Sequence, residues 1–384
     1  MKDKKKKVVI ICSIIVLVIL GFLMFIIKLS PKELVVQEIY DFDSGLALVK
    51  INNKYGYVDK SGKFVIKPQF SYAQSFRDGF AMVCEEKEGK HICGFINQKG
   101  KVIIDLKYEY GSSDYSGYSK ISDVEDGLIM VRNKDKEAVF DTTGKKLSAF
   151  MKDISLSGDG LVSIWTDDSC TIVDPKNDMK PITKEKFNAT TGCKNGICYV
   201  CKYVDKESHD TVCGGIDYKG NIVINYSHDI FYVFNKDGIA VAKRKISNKN
   251  KYGLINKKGL FVVEPVYEFN ISSFYESEGF IFQKDEKTIV AFDSKGKEMF
   301  TLKGDYKVSG NFFDGFAKIT KHIPNSHERQ TFYVNEKGTV KFGPYEEGNN
   351  FSDGLAYIKE DKDKFFFIDT NGKKVITGRI ENNE

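Results

Sequence analysis

After Ile27 the sequence holds no segment with the apolar spacing of an amphipathic helix. It also has no Gly/Ser/Pro-rich linker, and only 7 prolines in 384 residues. A surface helix needs apolar residues every three or four positions, and a flexible linker needs a biased composition, so neither a helical domain nor a string of loosely joined domains fits. The signatures G-x-S-x-G, P-loop and G-x-G-x-x-G are all missing, which removes the sequence case for nucleophile-elbow hydrolases, P-loop NTPases and dinucleotide-binding enzymes. Charge of one sign is missing too. The formal +5 sits almost wholly in the five lysines of residues 1–7. The near-neutral remainder has no electrostatic footprint for nucleic acid, and Lys243-Arg244-Lys245 reads as a solvated strand end. Of the 5 histidines, His209, His322 and His327 fall in polar loops, and none, including His91 and His228, stands beside a Ser or Cys in a nucleophile setting. No catalytic, cofactor or metal site is expected.

What is present is a repeat. Phe42-Asp43-Ser44-Gly45-Leu46-Ala47 returns as Phe76-Arg77-Asp78-Gly79-Phe80-Ala81. Between them lie three short runs of alternating apolar residues, 46–51, 55–59 and 64–66, divided by Asn52-Asn53-Lys54 and Lys60-Ser61-Gly62. Alternation over such short runs predicts strands, and the Asn- and Gly-containing breaks predict tight hairpins. The unit is an antiparallel meander of three strands, with room for a fourth in the connector 69–76. Its second turn, Asp or Asn followed three residues later by Gly, recurs from Asp59/Gly62 to Asp369/Gly372, with a degenerate member at 174–178. Its first turn, an acidic residue with Gly, recurs from Gly45 to Gly354, and Lys194-Asn195-Gly196 completes the series. Each series has nine members, and from Gly62 to Gly372 the steps average about 39 residues.

The pattern F-x-D-G-x-A-x-V, a polar turn, an aromatic-Gly strand ending in Asp or Asn, and K-G-K-x-V-I-x-P resembles the WG (KWG) repeat family. The match is clearest in residues 42–74, 76–104 and 239–266 and decays over 37–377. The family's Trp is replaced throughout, by Tyr55, Cys93, Glu137, Cys170, Cys213, Tyr252, Ile289, Thr331 and Phe365, and only Tyr55, Cys93, Cys213 and Tyr252 keep the following Gly. The resemblance implies an interaction module rather than an enzyme. A lone meander cannot bury its apolar face, so neighbouring units must stack. The expected fold is an all-β repeat protein after one N-terminal transmembrane helix, a propeller-like stack of about nine three- to four-stranded antiparallel units with the connector innermost. Nine exceeds the usual four to eight blades, which keeps an open β-hairpin superhelix or solenoid as the alternative.

Residues 8–27 carry no charge. As a helix they would span about 30 Å, a bilayer's hydrocarbon thickness. The run exceeds a signal-peptide core and lacks an A-x-A site, so it reads as an uncleaved signal anchor. Five lysines before it place the N-terminus in the cytoplasm and the repeats outside. The expected division is a cytoplasmic basic tail 1–7, a transmembrane signal anchor 8–27, a linker 28–36 and a repeat domain 37–380. The lipid bilayer is one partner, through residues 8–27, and an unknown protein or cell-envelope ligand the other.

The cysteines are the sharpest local signal. Cys84 and Cys201 lie five residues past first-turn glycines, while Cys93 and Cys213 lie four before second-turn Asn97 and Asp217. Two repeats thus place a pair at equivalent positions on facing strands, close enough for disulfides at an oxidising location. Cys193 and Cys198 flank a first hairpin in the same way. The alternative is zinc at Cys193, Cys198, Cys201 and Cys213, whose C-x4-C-x2-C-x11-C spacing only half matches two close pairs. Cys170 faces Trp165 and is free, buried or paired with a neighbouring repeat. The turn acids supply one carboxylate per loop, too few for calcium, and are read as local turn formers. The expected function is a membrane-anchored, extracytoplasmic, non-catalytic module for protein or cell-envelope binding. A cell-wall glycan-binding protein is the first alternative and an enzyme with a site in a central channel the second.

Overall fold

The computed structural model describes residues 33–110, 124–205, 207, 210–268, 278–324, 326 and 328–381. The tail and anchor expected over residues 1–27, and His209 and His327, lie outside the described residues. Among the described residues there is no α-helix, and none long and apolar enough to cross a membrane.

Nine sheets follow one another among the described residues, antiparallel throughout except at one outer strand of the ninth. Blade 1 is Glu38–Asp43, Leu46–Ile51, Lys54–Asp59 and Phe64–Phe70, paired in that order. The three expected runs are its second to fourth strands. The connector provides the short first strand of blade 2, Tyr72–Ala73, although Gln69 and Phe70 stay with the fourth strand of blade 1. First strands of neighbouring blades meet, as Ile154–Gly158 does Ala189–Lys194, whereas fourth strands face outward with alternate residues exposed.

Each blade has two apolar faces, and each face packs on the next blade. Leu48, Tyr57 and Phe70 of blade 1 pack against Phe76, Val83 and Ile96 of blade 2. The pattern repeats around the chain and ends where it began. Phe42, Val49 and Val58 of blade 1 pack against Leu355, Phe365 and Phe367 of blade 9. Nine blades separated by nine cores make a closed ring, so the propeller-like arrangement holds and the open superhelix does not.

Leu34–Val36 seals that last seam. The sequence reading assigns these residues to the linker, but they pair in parallel with Lys374–Ile380 as the outermost strand of blade 9. Leu34 and Val36 bury their side chains in the closing core. Three apolar residues without a turn signal are too short to read as a strand from sequence.

The second turns explain themselves locally. Asp369 Oδ1 accepts hydrogen bonds from the Asn371 and Lys373 amides, both at 2.9 Å. In blade 2 the Asn97 oxygen does the same work for Lys99 and Lys101. The Lys373 amide foremost holds the Asp369 carboxyl below its ordinary range, and the Asn221 side chain does so for Asp217. A carboxylate with a depressed folded pKa contributes stability that is present above its ordinary value of 3.8 and lost as pH falls through the folded value. Asn keeps the accepting oxygen, as Asn97 shows, so Asp217→Asn with Asp369→Asn should cost no more than about 0.5 kcal/mol per site at pH 7. The double variant should lose less stability than the parent as pH drops below 3.8, which thermal melts across the acid range will read.

The glycine after the aromatic position has a different cause. A Cβ on Gly94 would lie 2.3 Å from the Ile104 carbonyl oxygen, and one on Gly253 2.3 Å from that of Val263. Opposite each, the outer strand bulges, with the register jumping between Cys93/Phe95 and between Tyr252/Leu254. The bulged backbone crosses where a side chain would stand, so only glycine fits.

Candidate functional site

The first turns do more than reverse the chain. In blade 2 Asp78 and Gly79 both have positive φ, 49° and 82°, a backbone that Asp-Gly accommodates. The residue before the glycine then points to the next blade. Asp353 Oδ2 accepts from the Gly45 amide at 2.5 Å, across the closing seam. Ser44 Oγ accepts from Gly79, Asp78 from Asp126, Asp126 from the Asp159 amide, and Asp159 from Gly196. Asn195 and Asn235 instead donate to the Phe234 and Ser294 carbonyls. Glu278 and Asp314 accept from Gly315 and Gly354. Every seam is thus bridged by a first-turn side chain. Sequence reasoning treats these acids as local turn formers, which is right for the second turns and wrong for the first. Spacing alone carries no sign of the next blade.

Inside this ring a cavity of about 1010 Å³ runs along the inner strands of blades 4 and 5. Its wall combines Arg77, Glu125, Arg132, Glu137, Trp165 and Lys194 with Asp135, Asp153, Asp167 and backbone of both inner strands. Many of these charges are paired. Arg132 Nε donates to Glu137 at 3.1 Å, both side chains largely buried, and Lys194 Nζ donates to Asp126 at 2.9 and 3.0 Å. Burial first, then the neighbouring Asp126, pushes the Glu125 carboxyl up, with Arg77 and Lys194 acting against the rise. Trp165 donates its indole N–H to Ser155 Oγ at 3.0 Å, which fixes the ring in the wall. The chain's single tryptophan, which the sequence places in a degenerate repeat, is therefore a cavity residue.

A second, half-buried polar set bridges blades 8, 9 and 1. Asn349 Nδ2 donates to both oxygens of Asp41 at 2.9 and 3.1 Å, and Lys318 Nζ donates to the Gly348 carbonyl at 3.2 Å. Burial raises the Asp41 carboxyl pKa and lowers that of the Lys318 ammonium.

The six paired cysteines stand where the repeat alignment puts them. Cys84–Cys93, Cys193–Cys198 and Cys201–Cys213 are disulfides, each between residues directly opposite on adjacent strands. All four cysteines of the zinc alternative are consumed, and no group of three or more His, Cys, Asp or Glu among the described residues could hold a metal ion. Cys170 is a free, buried thiol whose pKa burial pushes up to about 11. It shares a core with Cys193 and Cys198 between blades 4 and 5. His91 and His228 lie away from the cavity, near Ser71 and Asp210 respectively.

Residues 33–55, 55–89, 94–136 and 252–287 match the WG containing repeat, so the chain carries repeats of that type. No curated protein matches it. Among solved structures, a crystal structure of the eukaryotic initiation factor is 11% identical, covers 80% of this chain and 87% of its own, and superposes with a TM-score of 0.52. At that identity the likeness shows the fold alone. An uncharacterized protein from Listeria monocytogenes is 8% identical over 92% of this chain and 99% of its own, with a TM-score of 0.41. BamB from Moraxella catarrhalis is 9% identical over 91% and 88%, with a TM-score of 0.34.

Proposed function

We propose, from WG-type repeats closed into a nine-bladed ring, that this protein is a non-catalytic binding and scaffolding module held at the cell membrane by residues 8–27, with its ring outside the cytoplasm. The observation that carries the reading is the cavity wall. Its ion pairs, Arg132 with Glu137 and Lys194 beside Asp126, tie up groups that an acid–base mechanism would need free. Paired charges around a recess suit recognition of a partner's polar groups, and a propeller-like repeat fold is a common frame for protein binding. Three disulfides support an oxidising location. The partner is an extracytoplasmic protein or a cell-envelope component.

One observation favours the glycan alternative, namely Trp165 in the cavity wall, since sugar rings stack on indole faces. The same residue separates the readings, because as the only tryptophan it alone supplies the tryptophan emission. Titrating the full chain in detergent with soluble peptidoglycan fragments should leave that emission unchanged if the ligand is a protein. A saturable shift, abolished by Arg132→Ala, would put the glycan reading first. On intact cells, a membrane-impermeant amine reagent should label ring lysines such as Lys219 while sparing those of residues 1–7. Labelling of the tail with an unlabelled ring would reverse the orientation.

A further inference from the structure

Where the chain enters the ring fixes which part of it a membrane would meet. Leu34–Val36 runs parallel to Lys374–Ile380, the strand that leaves the second turn of blade 9. Read backwards from Leu34, the chain therefore heads toward the end of the ring where the second turns lie. Leu34 stands opposite Gly378, four residues or about 13 Å along the strand from that turn. Residues 28–33 separate Ile27 from Leu34, and an extended chain of that length spans at most about 20 Å. Leu34–Val36 lies at the seam of blades 9 and 1, so these two blades, flanked by blades 8 and 2, form the arc that an anchor ending at Ile27 would hold closest to the bilayer.

That arc has the chemistry of a headgroup-binding surface. Lys63, Lys67, Lys99, Lys101 and Lys373 are exposed on its second turns and outer strands. Between them Phe64, Val65 and Val102 are 42%, 45% and 45% exposed. The acids of the same turns, Asp59 and Asp369, are engaged with turn amides, and Asp105 pairs with Lys107 at 3.2 Å. First-turn acids also lie at this end of the ring, but toward its axis, where they bridge the blades. Lysines with exposed apolar neighbours recur on blades 5 and 6, for example Lys219 with Ile222 and Lys258 with Leu260. Composition alone thus does not select the arc; the entry of the chain does.

We propose that the outer rim of blades 9, 1 and 2 docks on an anionic lipid surface, with the lysines at the phosphates and Phe64, Val65 and Val102 at the headgroup boundary. This rests on the anchor reading above. A ring docked by one arc stands tilted, with blades 4 to 6 and the open cavity of blades 3 to 5 directed away from the bilayer toward a partner.

The full chain reconstituted in vesicles, with phosphatidylcholine alone or mixed with phosphatidylglycerol, tests both layers separately. Flotation reads the anchor, and residue-resolved lysine acetylation reads the docking. In phosphatidylglycerol vesicles Lys63, Lys99 and Lys373 should acetylate about fivefold more slowly than in detergent, the factor that a lysine's attraction to an anionic surface gives. Lys219, Lys258 and Lys295 should not change. Molar salt, with a screening length of about 3 Å, should remove the protection. Chains that do not float overturn the anchor and the docking with it. Chains that float with equal acetylation on both arcs overturn the docking and leave the anchor standing. Equal protection in phosphatidylcholine alone overturns the role of anionic lipid. Charge reversal of Lys63, Lys67, Lys99, Lys101 and Lys373 to Glu should abolish the protection at Lys60. The same number of reversals at Lys145, Lys146, Lys219, Lys258 and Lys295 should not.

Discussion

Alanine at Phe42 or at Phe367 should lower stability by about 3–5 kcal/mol, among the largest effects any single substitution in this ring will have. Both rings are 1% exposed, and they meet edge to face with centroids 5.2 Å apart. They face each other across the one seam that chain continuity does not hold. Elsewhere the chain runs directly from one blade into the next, whereas among the described residues blades 1 and 9 are joined by this core, by Leu34–Val36 and by bonds such as Asp353 to Gly45. Denaturant midpoints will give the magnitude. The double variant should cost less than the two singles together, because each already empties the same contact. Amide exchange will identify the mechanism: residues 34–36 and 374–380 should open first. Exchange that rises equally in all blades would mean that the seam is no weaker than the others.

Replacing all four paired cysteines of blade 5 with alanine should cost about 4–6 kcal/mol, roughly 2–3 for each of two short-loop disulfides. Cys193–Cys198 and Cys201–Cys213 staple the first three strands of that blade across sequence separations of 5 and 12 residues. The entropic part acts by restricting the unfolded chain, so it leaves the folded contacts nearly unchanged. Loss of Cys84–Cys93 alone should cost about half as much and loosen only residues 80–97. Non-reducing peptide mapping of protein from the cell surface checks the pairing directly. Free thiols at all six positions would remove both the disulfides and the main chemical support for an extracytoplasmic ring.

The blades could be read from the sequence because their determinants are local. Alternation in residues 46–51 and 55–59 and the Asp59/Gly62 turn each involve neighbours within a few positions. The cysteine pairs follow from aligning those local units. Ring closure was only half legible, because Phe42 looks the same whether its partner is a tenth repeat or Phe367. The bridging role of Asp78 or Asp353 was not legible at all, since an Asp-Gly turn satisfies every local rule before the next blade is considered. The place of Trp165 was not legible either, although it stands five residues past Gly160 just as Arg132, also in the cavity wall, stands five past Gly127. Gly94 could be seen to matter, but its reason is the bulge of an outer strand that shows no signal of its own.

The parallel pairing of Leu34–Val36 with Lys374–Ile380 also sets an order of events. During synthesis Leu34–Val36 waits for Lys374–Ile380, across more than three hundred residues, while blades 1 to 8 can form as they emerge. Contacts of such sequence separation are slow to make. Until residues 347–380 emerge, blade 9 does not exist and the face of blade 1 that packs on it is bare, an exposed apolar surface that invites association with other chains. A chain shortened by its last forty residues should therefore be a folding trap rather than a smaller ring.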